Sequence, residues 1–199
     1  MKLVLASDNA HKLQEFRELF SRLNVELLSK KETGFTDEVE ENGATFEENA
    51  RIKAEAVMRA TGLPAIADDS GLCVDALGGA PGVLSARYTG SHADSDADRY
   101  RLVLKNLGGR TDRSARFVCA LCCVFPNGDM LRARGECEGE ILTAPRGENG
   151  CGYDPIFKPA GHECSMAELT MDEKNAISHR GKALANFKQE WENYTNAHQ

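Results

Sequence analysis

The sequence lacks the signature motifs of several nucleotide- and metal-dependent enzyme classes. Its 199 residues contain no GxxxxGKS/T phosphate-binding loop and no GxGxxG after the first apolar run, which argues against Walker-type and dinucleotide-binding folds. The glycines between residues 78 and 82 have the wrong spacing for either motif. An HExxH motif or a paired His/Cys cluster would indicate zinc, and GxSxG would indicate a serine hydrolase, but none is present.

Positive charge and long apolar runs are also scarce. The 24 Lys and Arg residues are outnumbered by 31 Asp and Glu residues, which gives a formal net charge of -7. This balance argues against a surface that binds a nucleic acid polymer. Free nucleotides are compatible with it, because a few local cations and a magnesium ion can hold their phosphates. No apolar run approaches the length that spans a bilayer, so we expect no membrane partner.

The cysteine pattern predicts a reducing, cytoplasmic location. There are seven cysteines, an odd number, and no signal peptide precedes the first predicted strand at Lys2–Ala6. Cys119 and Cys122 form a CxxC pair, but they lie inside an apolar run without a second pair or spaced histidines. We therefore interpret them as buried thiols rather than as a redox or zinc site.

Two adjacent acids follow an apolar run in the middle of the chain. Ala65–Ala67 predicts a buried strand, and Asp68 and Asp69 come at its end, followed by Ser70 and Gly71. Neighbouring ionised carboxylates raise each other's proton affinity unless a cation lies beside them, which points to a metal such as Mg²⁺. The alternative is an Asx-turn, because Asp, Ser and Gly are ordinary turn residues.

The start of the first helix predicts an anion site. Ser7, Asp8 and Asn9 are capping residues that lie between the strand at Lys2–Ala6 and an amphipathic helical pattern, and Lys12 lies in the first helical turn. Free N–H groups at such a helix start can hold a phosphate. A plain capped helix with a solvated lysine is the alternative.

Further elements alternate between strand and helix patterns. Thr45 to Glu48 has capping-box spacing and begins a helix on which Asn49 and Lys53 share one stripe. A hairpin is predicted from 115–125 and 130–136, and residues 141 and 142 are candidates to extend its sheet. We interpret 146–155 as a flexible loop and place His179 and Arg180 at the start of the last helix. The length suits one domain over residues 1–199, with no clear interdomain linker.

Five stretches of the chain together are typical of one family. They are Ser7–Lys12; Glu41 with Thr45–Ala50 and Lys53; Asp68–Leu72 with Gly79–Gly82 and Ser85–Tyr88; Gly152–Pro155; and Lys174–Arg180. In these stretches the chain resembles the inosine triphosphate (non-canonical purine nucleoside triphosphate) pyrophosphatases, in unchanged order and over nearly its whole length.

The resemblance implies a fold, an activity and a site. The fold would be α/β, a mixed twisted sheet with flanking helices and two lobes around a central active-site cleft, in a homodimer. The activity would be Mg²⁺-dependent cleavage of ITP, dITP and XTP to monophosphate and pyrophosphate. Glu41 and Asp69 would hold the metal, and Asp69 would also accept the proton, with Asp68 as an alternative base. The substrate would contact Ser7, Asp8, Asn9, Ala10, His11, Lys12, Lys53, Ser70, Cys151, Gly152, Tyr153, Asp154, Lys174, His179 and Arg180.

The chain departs from the family pattern at two positions. Cys151 stands where phenylalanine is usual, and that ring looks suited to stacking on the base. Asp8 stands where glycine is common, and it puts a carboxylate near the predicted phosphate site or caps the helix. Two rival functions are a Maf-like nucleotide pyrophosphatase, which resembles only the start of this chain, and a nucleotide sensor that binds without hydrolysis.

Overall fold

The computed structural model describes all residues from 1 to 199. The strands are β1 (Lys2–Leu5), β2 (Glu26–Ser29), β3 (Ala65–Val74), β4 (Ser114–Val124), β5 (Met130–Ile141) and β6 (Phe157–Pro159). The α-helices are α1 (Ala10–Ser21), α2 (Phe46–Thr61), α3 (Asp96–Leu107), α4 (Met171–Ile177) and α5 (His179–Ala197). None of the helices is both long and apolar enough to cross a membrane.

The six strands form one mixed sheet in the order β2-β1-β3-β4-β5-β6. Strand β1 runs parallel to β2 and to β3, with Lys2 opposite Glu26 and Val4 opposite Ala65. Strand β5 runs antiparallel to β6, with Gly139 opposite Pro159. A Cβ at Gly139 would lie 2.2 Å from the carbonyl oxygen of Lys158, so only glycine fits there. The predicted α/β class with a mixed sheet is confirmed.

The chain divides into two compact units, of which the first comprises residues 1–69, 120–134 and 183–199. The buried side chains of helix α2 recur at helical spacing, which places them on one face of the helix. This face packs small apolar residues against the sheet. That part of the core contains Val4, Ala6, Ala50, Ala54, Val57, Ala65, Ala67, Cys122 and Val124. Phe20 makes edge-to-face contacts with Phe187 and Trp191, with ring centroids 5.9 and 5.5 Å apart. These contacts attach α5 to α1.

The second unit comprises residues 70–119 and 135–182. Its core is built from the later part of β3, helix α3 and the strands β4 to β6. The buried members are Leu72, Val74, Val103, Leu107, Ala115, Phe117, Cys137, Ile141, Tyr153, Ile156, Phe157, Met166 and Leu169. Phe117 and Phe157 pack with their centroids 4.5 Å apart. Aromatic contacts of this kind add stability beyond simple area burial.

Strand β3 corrects one sequence prediction. We expected the strand to end at the acids, and the alternative was an Asx-turn, but β3 continues to Val74 and includes Asp68, Asp69 and Ser70. Leu72 and Val74 beyond the acids are fully buried, so their packing keeps the chain extended. The turn interpretation is therefore wrong. Strand β5 is also longer than the predicted 130–136, since it reaches Ile141.

The predicted buried thiols are confirmed. Cys119 and Cys122 are buried and form no disulfide, and burial raises the pKa of Cys122 to about 11. A thiol held neutral in this way is a poor metal ligand and a poor nucleophile.

Candidate active site

Helix α1 begins with a capped turn that bears several predicted site residues. Asn9 is the N-cap, and its side chain accepts a hydrogen bond from the backbone N–H of Lys12 at 3.1 Å. Ser7 accepts in the same way from the N–H of Asn9. Ala10 and His11 form the exposed start of the helix. Asp8 does not cap, because its carboxylate lies 3.2 Å from the ammonium of Lys30.

Lys12 reaches from this helix to the first acid of β3. Its Nζ lies 3.1 Å from Oδ1 and 2.9 Å from Oδ2 of Asp68. The Asp68 side chain is only 2 % exposed, so its negative charge is held by a direct partner rather than by water. An ionised carboxylate at such depth requires this kind of pairing. The contact with Asp68 therefore holds the Lys12 side chain in place.

Lys53 lies at the centre of the acids in the first unit. Its Nζ lies 2.8 Å from Oε1 of Glu41 and 3.8 Å from Oδ1 of Asp69, and it donates to the backbone oxygen of Asp68 at 2.5 Å. Burial works to lower the pKa of Lys53, but the charges of Asp68, Asp69 and Glu41 outweigh it, and the pKa is raised. We name these five residues the lysine–carboxylate cluster: Lys12, Glu41, Lys53, Asp68 and Asp69.

Asp69 is the member of the cluster with the most perturbed acidity. Burial raises the pKa of its carboxyl to about 6; the charges of Glu41 and Asp68 also raise it, while Lys53 and Asn49 lower it. Its Oδ2 is buried and accepts no hydrogen bond. A carboxylate that is held above its ordinary pKa by burial accepts protons near neutral pH.

This perturbation predicts a pH-dependent stability in the absence of divalent cations. Between pH 4 and 6 the folded state keeps a proton on Asp69 that the unfolded state releases, so the free energy of unfolding falls as the pH rises. We expect Asp69→Asn to raise the free energy of unfolding by about 1–3 kcal/mol at pH 7.5. The gain should vanish below pH 4. Urea unfolding at several pH values measures this, and a gain that is independent of pH would contradict it.

The loop Cys151–Asp154 is fixed in the second unit by hydrogen bonds. Asp154 is 4 % exposed, and its Oδ2 accepts from Lys174 Nζ at 2.6 Å and from the N–H of Cys151 at 3.0 Å. The N–H of Gly152 donates to Asp96 at 2.9 Å. The hydroxyl of Tyr153 donates to the backbone oxygen of Ser85 at 2.6 Å. Hydrogen bonds thus hold this part of the predicted loop 146–155, whereas Cys151 itself is exposed.

His179 and Arg180 begin helix α5, as predicted. The imidazole of His179 stacks on the ring of Phe117, with centroids 5.0 Å apart and an interplanar angle of 18°. Arg180, the next residue in the chain, is partly buried. The N–H of Gly181 donates to the hydroxyl of Ser178, which completes the start of this helix. Ser70, in the middle of β3, has a buried hydroxyl without a hydrogen-bond partner.

Several residues that hold these side chains in place are not among the predicted site residues. Asp96 and Ser85 support the loop Cys151–Asp154, and Asn49 lies beside Asp69. Gly150 is equally constrained, because a Cβ there would lie 2.2 Å from Oδ2 of Asp154. Signals existed for Asn49, which shares a helical stripe with Lys53, and for Ser85, which lies in one of the five family-typical stretches. The other contacts join residues that are far apart in the chain.

The cluster fits a magnesium ion. Glu41 and Asp69 supply hard carboxylate oxygens, and Oδ2 of Asp69 is a buried acceptor without a hydrogen-bond donor. No group of three or more His, Cys, Asp or Glu side chains forms an all-protein cage. Magnesium needs no such cage, because it keeps several waters and binds through one or two carboxylates plus substrate phosphates. The donor set therefore matches this metal better than zinc or calcium.

The fold and the cluster together define the class of the protein. A mixed sheet with flanking helices, which carries buried carboxylates beside lysines, makes this an α/β protein. The chain belongs to the Ham1 family, whose sequence profile matches residues 3–190. The resemblance seen in the sequence motifs is thereby confirmed.

Individual relatives agree with this assignment over most of the chain. A protein named dITP/XTP pyrophosphatase from Desulfotalea psychrophila is 48% identical over 188 residues, which cover 94% of this chain and 84% of the relative. A protein of the same name from a Synechococcus species is 50% identical and is covered over 89% of its length, against 96% of this chain. The structure of the Staphylococcus aureus Ham1 protein matches with a TM-score of 0.92 and 40% identity, over 98% of this chain and 100% of that one.

Proposed function

We propose that this chain is a hydrolase that cleaves the triphosphates of deaminated purines, ITP, dITP and XTP, to the nucleoside monophosphate and pyrophosphate. The observation that carries the proposal is the lysine–carboxylate cluster, in which Lys12 and Lys53 hold two buried acids of β3. The names of the relatives support the choice of substrates. The reaction would remove deaminated purines from the nucleotide pool.

Attack of water at the α-phosphorus requires a base. The water oxygen forms a bond to the α-phosphorus, and the bond from that phosphorus to the bridging oxygen breaks as pyrophosphate leaves with the electron pair. The resemblance implies that Asp69 takes the proton of the water. Asp68 is the weaker candidate, because both of its oxygens face Lys12.

Glu41 and Asp69 are the residues that would hold Mg²⁺. When bound, the ion neutralises charge on the triphosphate and orients the α-phosphorus. Lys53 already supplies one positive charge between these carboxylates. It limits their mutual repulsion and keeps both side chains in one place.

Phosphate binding is assigned to lysines that are ion-paired in this structure. Lys12 pairs with Asp68, Lys53 with Glu41, and Lys174 with Asp154. Each acid fixes its lysine as a preorganised point charge, and a phosphate oxygen can share the ammonium as a further acceptor. The N–H groups at the start of α1, around Ser7 to His11, add a helix-end dipole for the same anion.

Selection of the base is assigned to donors at the start of α5. Inosine and xanthine present an acceptor oxygen at purine position six, where adenine presents an amino donor. A site with fixed donors such as Arg180 and His179 rejects adenine, because a buried donor would then face another donor.

Replacement of Arg180 tests this assignment. We expect Arg180→Ala to lower kcat/KM for ITP by about tenfold to a hundredfold and residual ATP turnover much less, since one charged hydrogen bond is worth about 1.5–3 kcal/mol. Steady-state kinetics with both nucleotides measures the ratio. Arg110→Ala serves as the control, because Arg110 pairs with Asp112 on the surface. An equal loss for ITP and ATP would instead assign Arg180 to the phosphates.

Cys151 predicts a weakened base contact. It is exposed at the position where the resemblance places a stacking phenylalanine, and an aromatic stack is worth about 1–3 kcal/mol per base. We therefore expect Cys151→Phe to lower the KM for ITP by about fivefold or more, with little change in kcat. Cys151→Ala, which removes the thiol without adding a ring, should leave KM unchanged. An unchanged KM in the phenylalanine variant would mean that this side chain does not contact the base.

A substrate panel tests the function as a whole. Pyrophosphate release is measured from ITP, dITP, XTP, ATP, GTP, CTP and UTP, with Mg²⁺ and with a chelator. We expect magnesium-dependent release that is largely confined to ITP, dITP and XTP. Release from pyrimidine nucleotides would favour a Maf-like activity, and binding without release would favour a sensor.

The resemblance also supports two proposals about the whole protein. They are a homodimer and a cytoplasmic location, without a nucleic acid polymer or a membrane as partner. Size-exclusion chromatography with light scattering should give twice the mass of one chain. A monomer at micromolar concentration would contradict the dimer.

A further inference from the structure

We propose that Asn49 is a positioning residue that holds Glu41 and Asp69 in the arrangement that binds a divalent cation. The inference rests on the proposed magnesium-dependent hydrolysis, in which these two acids are the metal ligands. Asn49 lies in the first turns of α2, one turn before Lys53. Asn49 is polar but 0% exposed. The other buried residues that follow it on the helix, Ala50, Ala54 and Val57, are apolar.

The first contact of Asn49 anchors the segment that carries Glu41. Its Oδ1 accepts a hydrogen bond from the backbone N–H of Gly43 at 2.8 Å. Because a backbone N–H can only donate, the atom that faces it is the amide oxygen, and the orientation of the amide is fixed. Gly43 is two residues from Glu41, so this bond limits where the Glu41 backbone can lie.

The second contact of Asn49 is with Asp69. With Oδ1 turned to Gly43, Nδ2 is a buried donor without a hydrogen-bond partner, and Oδ2 of Asp69 is a buried acceptor without one. The Asn49 side chain lies beside the Asp69 carboxylate. One amide thus contacts the segments of both predicted ligands.

The space around Gly43 shows how closely this anchor fits. A Cβ at Gly43 would lie 2.7 Å from Oδ1 of Asn49 and 2.8 Å from Cβ of Glu48. The backbone of Gly43 is not in the left-handed region, so glycine is needed there for space rather than for conformation. A second bond, from the N–H of Ala44 to Oε2 of Glu48 at 2.7 Å, fixes the next residue.

Asn49 is thus placed to hold the residues that bind the metal without binding the metal itself. Carboxylates that bind metals are themselves held by hydrogen bonds, and loss of such a partner lowers metal affinity or activity by about tenfold to a hundredfold. Neither Oδ1 nor Nδ2 of Asn49 needs to contact the ion for this effect. Asn49 acts by fixing the separation of two acids that come from different segments of the chain.

The test measures Mn²⁺ binding to the nucleotide-free enzyme by electron paramagnetic resonance. We expect Asn49→Ala to weaken Mn²⁺ binding by about tenfold or more and to raise the Mg²⁺ concentration for half-maximal ITP hydrolysis by a similar factor. The KM for ITP at saturating Mg²⁺ should change much less. Asn42→Ala is the matched control, because Asn42 is an exposed asparagine in the same segment, and both values should stay at those of the wild type.

A second variant keeps the proposal testable if Asn49→Ala does not fold. Gly43→Ala disturbs the same anchor from the other side and should also weaken Mn²⁺ binding, and the double variant should be no worse than the poorer single one. Wild-type Mn²⁺ affinity in Asn49→Ala or Gly43→Ala, with only a lower Tm, would overturn the inference. Failure of the wild-type enzyme to bind Mn²⁺, both alone and with a non-hydrolysable ITP analogue, would instead overturn the proposed metal site.

Discussion

Asp69→Asn is expected to lower kcat for ITP by about 10³-fold, with a small change in KM. The substitution keeps the shape of the side chain but removes its capacity to take a proton and weakens it as a metal ligand. Because burial raises the pKa of Asp69 to about 6, the same variant should fold at least as stably as the wild type at pH 7.5. Lost activity in a well-folded protein then reports the chemistry and not a damaged fold.

Asp68→Asn gives the contrast that assigns the base. Asp68 holds Lys12 through both carboxylate oxygens, so its loss should release the lysine and raise KM by about tenfold, with kcat within a few fold. Asp112→Asn, which alters a surface pair with Arg110, should change neither value. Equal and partial losses in kcat for Asp68→Asn and Asp69→Asn would mean that Asp69 is not the principal base.

Lys53→Met is expected to damage both stability and activity. The variant leaves Glu41 and Asp69 without the ammonium that lies between them, and removal of one partner from a buried ionic group costs about 3–5 kcal/mol. Since Lys53 is 16% exposed, we expect a loss of about 2–4 kcal/mol in the free energy of unfolding at pH 7.5. The loss should shrink towards pH 4.5, because protonation of Asp69 removes one of the uncompensated charges. Activity should fall by at least about a hundredfold.

Two further variants separate this effect from a general loss of charge. Lys188→Met removes a lysine whose surface pair with Glu192 spans 4.0 Å, and it should change stability by less than about 0.5 kcal/mol. Adding Asp69→Asn to Lys53→Met should restore part of the lost stability, because the two residues share one ionic network. Unchanged unfolding of Lys53→Met in urea would show that the cluster is solvated rather than buried.

The sequence by itself determined several helix starts and the family. Helix starts at Asn9 and Thr45 were readable, because an N-cap bonds to a backbone N–H only three residues away, and both caps form. The order of motifs was sufficient to recognise the family. The candidate site residues came from the same motifs, since residue type and local spacing are carried by the chain itself.

The tertiary structure alone decided how the charges pair and where β3 ends. The sequence placed Lys12, Lys53 and Lys174 as phosphate ligands, but it could not assign an acid to each, because Lys12 is 56 residues from Asp68. Turn chemistry at Asp68–Gly71 was overridden by burial of Leu72 and Val74, which made a longer strand more stable than a turn. The raised pKa of Asp69 likewise arises from burial and from neighbours on other segments. Local spacing cannot encode these properties, since electrostatic and packing energies depend on distance in space and not on separation along the chain.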